Sequence, residues 1–136
     1  MHQAKTQPIL PATLDWTLNH LPVAHRQRLR TASLWPEFIR LQAAARAQQI
    51  STAQLDQANS AGSGESVIAQ CERTEAEAIA TAATLRDGLL NARVHQPQDI
   101  ALKLLAVIAS GQPGPASADD FPWADLNKLL RELAVL

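Results

Sequence analysis

Cys71 is the one thiol of this chain, and Glu75 follows it by one helical turn, a spacing that a redox or nucleophilic cysteine could use. The residues on either side form an apolar helical seam, though, and a free cysteine on such a seam reads as a small buried hydrophobe. The four histidines, His2, His20, His25 and His95, never pair on one turn beside a carboxylate. His95 stands four positions before Asp99, but Pro97 interrupts the helix between them, so zinc-ligand spacing is missing. No glycine-rich phosphate loop and no serine or cysteine triad signature is present. The sequence therefore predicts no catalytic residue, no metal and no cofactor, and a protein that is not an enzyme.

A short basic run, His25-Arg26-Gln27-Arg28-Leu29-Arg30, offers a different chemistry. Arg26 and Arg30 share a helical face with Trp35 nearby, and arginines on a short helix can contact phosphates. Weak nucleic-acid binding through Arg26, Arg28 and Arg30 is thus one reading, and a solvated face meeting acidic surface is the other. Net charge is −1, so no overall field draws the chain to nucleic acid or membrane. Residues 1–60 carry six Lys/Arg against three Asp/Glu, and residues 61–136 carry six against ten. That asymmetry fits two faces of one fold or a charge-complementary partner.

The elements that position these residues all read as helices. Apolar residues make up 46% of 136, enough for a single modest core, and no stretch alternates with the period of a strand. From Glu65 to Arg93, Ile68, Cys71, Glu75, Ala78, Ala82, Leu85, Leu89 and Ala92 recur by alternating threes and fours, the seam of a helix packed against another. Glu75 is its polar interruption, expected either to meet Arg40 or Arg46 of a facing helix or to be solvated. A second long helix begins at Pro36 and runs to Ser60, with Leu34, Phe38, Leu41 and Ala45 at helical spacing and Ile50 and Leu55 following. Ser60-Ala61-Gly62-Ser63-Gly64 joins the two, which predicts an antiparallel hairpin. Opening of that hairpin to exchange arms between copies is the alternative.

Two short helices precede the hairpin, from Pro11 through His20 and over residues 22–33, and residues 1–10 read as a flexible arm ahead of a single helical domain, 11–136. After it, Pro97 and Asp99 open a helix whose IALKLLAVIA is apolar nearly all round, the mark of a buried helix. A loop rich in Gly and Pro leads to a last helix, where Trp123, Leu126, Leu130 and Leu133 form one stripe. Such a stripe docks on its own core or enters the groove of a partner. MHQAKTQPIL lacks the apolar core of a signal peptide, and no apolar stretch is long enough to cross a bilayer, so the expected location is cytoplasmic with no membrane partner.

The tract Val94 to Val107, VHQPQDIALKLLAV, with the Gly/Pro/Asp loop and leucine-rich helix after it, resembles the C-terminal part of short helical proteins common in bacterial and prophage genomes. The resemblance rests on Pro97, Asp99-Ile100-Ala101 and Lys103-Leu104. It implies a helical fold in a mobile-element context and transfers no site. Together these readings predict an all-α fold: a long antiparallel helical hairpin with short N-terminal helices, a buried short helix and a C-terminal amphipathic helix. The expected function is a non-catalytic helical protein–protein interaction module that self-associates, in one subtype a small mobile-element-encoded inhibitor or adaptor of a host protein. An alanine-lined hairpin alone buries little surface, which is why self-association is expected.

Overall fold

The computed structural model describes residues 11–111 and 119–136; the expected N-terminal arm, 1–10, and residues 112–118 of the loop lie outside them. Six helices occur among the described residues, and no strand does. They are α1 (Pro11–Asn19), α2 (Val23–Leu29), α3 (Trp35–Ser60), α4 (Glu65–Asn91), α5 (Pro97–Gly111) and α6 (Trp123–Ala134). The fold is all-α and organised on the expected hairpin, in which α3 and α4 lie along each other.

Local chemistry accounts for the turn between them. Gly62 takes φ +68, and the N–H groups of Gly62 and Ser63 donate to the carbonyls of Asn59 and Ala58 (3.2 and 3.0 Å). This is a Schellman closure, which satisfies the last carbonyls of α3 and needs a residue at ease in the left-handed region. Each residue of the α4 seam is buried or half-buried, Cys71 and Glu75 being half-buried. Glu75 meets neither arginine: it accepts the hydroxyl hydrogen bond of Thr52 (2.6 Å), while Arg46 pairs with Asp15 and Arg40 with Glu37. On α3 the expected Leu34, Phe38, Leu41 and Ala45 are buried, but Ile50 is exposed. Gln42, Gln48 and Ser51 are buried instead.

One core gathers at the open end of the hairpin. Leu14 and Leu18 of α1, Leu29 of α2, Phe38 and Leu41 of α3, and Leu89 of α4 close around Leu102, Leu105 and Ile108 of α5, with Leu130 of α6 completing it. By helix rise α3 and α4 are each roughly 40 Å long and α5 about 22 Å. The hairpin therefore outreaches the core, and its distal half relies on small and polar seam residues.

Asp99, fully buried, ties the starts of two helices together. Its carboxylate accepts the Ser33 hydroxyl (2.7 Å) and the N–H groups of Leu34 (2.9 Å), His95 (2.9 Å) and Gln96 (3.2 Å). It thus caps α5, within whose first turn it sits, and holds the residue preceding α3. Burial pushes its carboxyl pKa up, and the hydrogen bonds from Ser33, His95, Leu34 and Gln96 together outweigh that, leaving it below the ordinary 3.8.

Candidate functional site: an apolar groove over α5

α5 has few polar positions with which to choose a face. Ala101, Leu102, Leu105, Ala106, Ile108 and Ala109 are buried, as expected of an apolar helix. Ile100 and Val107, however, are each 43% exposed, and Leu104 between them is only half-buried. These three lie at i, i+4 and i+7 and form the floor of an open groove. Beside them stand Leu129 and Leu133 of α6 and Leu136 just after it, and the groove holds about 530 Å³. Val107 also lines a second recess of about 280 Å³ against α4, walled by Leu90, Gly111 and Trp123. An apolar strip of several large side chains in contact is what a docking surface presents, unlike single exposed leucines.

Two side chains set the electrostatics of the groove. The Lys103 ammonium donates to the carbonyls of Leu90 (2.9 Å) and Ala92, which end α4. This explains why the helix stops at Asn91, two residues before the expected Arg93: Ala92 turns extended and gives its carbonyl to Lys103. Lys103 lines the groove but faces no carboxylate within ion-pair distance, and on the α6 side the exposed Glu132 makes no ion pair among the described residues. The groove thus carries a cation and an anion that form no ion pair among the described residues.

The residues singled out in the sequence occupy different places. Of the α6 stripe, Leu130 is wholly buried, and Leu126 and Leu133 pack against the core while half-buried. Trp123 lies over Gly111, so close that a Cβ there would stand 2.6 Å from its ring. That stripe docks largely on its own core, and only its edge residues, Leu133 and Trp123, reach the groove and recess. The α2 arginines do not form one free face. Arg28 donates to the carbonyls of Leu136 (2.6 Å) and Val135 (3.4 Å), Arg26 is half-buried, and Arg30 is exposed.

No protein-family model, curated protein or solved structure matches the chain. The physical reading of the site stands without a relative beside it.

Ile100, expected at buried spacing with Leu104, Leu105 and Ile108, is exposed instead, because α4 and α6 leave that edge of α5 uncovered. Leu129, Leu136 and Val107 are further groove residues for which a sequence signal exists only in part. α6 carries Leu129 beside the stripe of Trp123, Leu126, Leu130 and Leu133, and Leu136 follows its end, more leucine than one face of the helix can turn into a single core. Among the described residues no group of His, Cys, Asp and Glu is gathered as a metal ion needs, and no helix is long and apolar enough to cross a membrane.

Proposed function

We propose that this protein is a non-catalytic helical interaction module, and that the groove over α5 takes a second copy of the same chain. The observation that supports this is the open apolar floor with the exposed Glu132 on one wall and, on the other, Lys103, whose ammonium also holds the Leu90 and Ala92 carbonyls; neither makes an ion pair among the described residues. A two-fold axis along the groove lays α5 of each copy over α6 of the other. That sets each Lys103 opposite Glu132 of the partner subunit, a self-complementary arrangement of the kind isologous dimers require. A dimer of standard size covers about 800 Å² per partner. Both the groove and the recess beside Leu90 and Trp123 therefore take part.

Arg28 is committed to backbone carbonyls and Arg26 half-buried, so no observation favours the nucleic-acid reading. The groove is silent on a mobile-element origin and on any host protein as partner.

Charge reversal tests the pairing. Lys103→Glu and Glu132→Lys each place like charges across the axis and weaken self-association by about ten-fold. Mixing the two variants restores opposite charges at both ends and returns the affinity of the parent. A mixture that associates no better than either variant alone contradicts the proposal.

A further inference from the structure

α1 and α6 both rest on α5 and leave a cleft between them of about 470 Å³, within the range of small-molecule sites. One wall is aromatic: Trp16 and His20 stack with ring centroids 4.1 Å apart. His20 Nδ1–H donates to the Trp16 carbonyl (2.8 Å), since a carbonyl only accepts, and this bond holds the ring against the indole. The facing wall is cationic. Lys128 and Arg131, at i and i+3 on α6, both line the cleft, and neither makes an ion pair among the described residues.

The fourth feature is Thr17, which also lines the cleft. It is 2% exposed, and its hydroxyl has no hydrogen-bond partner among the described residues. A buried hydroxyl left unsatisfied costs stability, so its presence needs a reason. The N–H of Asn127 nearby is engaged by the Trp123 carbonyl (2.8 Å), leaving the threonine as the cleft's uncommitted buried donor among the described residues.

We infer that this cleft binds a small anion carrying a flat ring: the anionic group between Lys128 and Arg131 and within reach of the Thr17 hydroxyl, the ring along the Trp16–His20 wall. The two cations fix its charge, and the aromatic wall and Leu21 supply the apolar body of the site. Asp119 at the rim repels a second negative charge distant from the first and favours a single anionic head. The site is separate from the α5 groove, and its occupancy does not depend on self-association.

Benzoate and phenyl phosphate are the probes, with benzyl alcohol and inorganic phosphate as controls. Binding is followed by the indole N–H resonance of Trp16 in a nitrogen-correlated NMR spectrum. At least one ring-bearing anion shifts that resonance saturably, and which of the two binds tighter tells a carboxylate from a phosphate head. Benzyl alcohol and inorganic phosphate bind at least about ten-fold more weakly. Lys128→Gln with Arg131→Gln lowers affinity by about ten-fold or more while the unfolding midpoint stays within a degree or two. Thr17→Val lowers affinity and raises the unfolding midpoint of the free protein by about 3 °C, because it removes an unsatisfied hydroxyl without changing shape. No saturable shift with either anion, equal binding of the controls, or undiminished binding by the Gln pair overturns the site. A Thr17→Val chain that binds like the parent overturns the role given to the hydroxyl.

Discussion

Asp99 shows how a single side chain can decide where two helices start. Its four donors come from Ser33, Leu34, His95 and Gln96, on both sides of a junction between segments more than 60 residues apart in sequence. Hydrogen bonds to a buried charge are the strong kind, and an amide in its place would aim its own donors at backbone N–H groups. Asp99→Asn is therefore expected to cost about 3 kcal/mol at neutral pH, measured by urea unfolding. The pH dependence has a definite sign. Because the folded-state pKa lies below 3.8, the contribution is fully present above that value and is lost as pH falls through the folded pKa. The stability gap between parent and variant should stay constant from pH 5 to 7 and shrink only below about pH 4. The sequence shows half of this, the acidic residue at the start of a helix. The other half, the reach to Leu34, depends on a tertiary junction to which no local pattern points.

Among the elements, the hairpin is the most legible from sequence and α5 the least. The seam of α4 keeps its spacing from Ile68 to Ala92, and a Gly/Ser turn joins it to α3, so period and punctuation agree. α3 is harder because its buried face carries Gln42, Gln48 and Ser51 while Ile39 and Ile50 face out. Beyond the apolar stripe of Phe38, Leu41 and Ala45, its rotation follows from what α4 offers it. Two glycines separate backbone geometry from packing. Gly88 lies inside α4 with nothing within 4 Å of an added Cβ, so Gly88→Ala should stabilise by about 1 kcal/mol. Gly62 has equal space but φ +68, so Gly62→Ala should destabilise by about 1 kcal/mol through strain alone. Chemical denaturation of the two variants side by side checks both signs. For α5, all-round apolarity predicts complete burial, but an edge that remains open has the same sequence pattern as one that is covered. Only the positions of α4 and α6 distinguish them.

At the scale of the whole molecule, the surface left apolar by folding is the basis of the proposed function. The hairpin, α5 and α6 close one core and leave a strip from Ile100 to Leu136 that water covers in the single chain. Burying each of those leucine, isoleucine and valine side chains is worth on the order of 1.5–3 kcal/mol when complete, which makes the strip a source of association free energy. The stripe of Trp123, Leu126, Leu130 and Leu133 holds α6 in place, and the neighbouring Leu129 and Leu136 are what it presents. Sedimentation equilibrium of the unmodified protein beside Leu129→Glu tests this most directly. The account predicts a species of twice the 14.7 kDa chain mass at micromolar concentration, and a Leu129→Glu chain that is monomeric with unchanged helicity. An unmodified protein that stays monomeric at those concentrations, or a Leu129→Glu dimer as tight as the parent's, would contradict it.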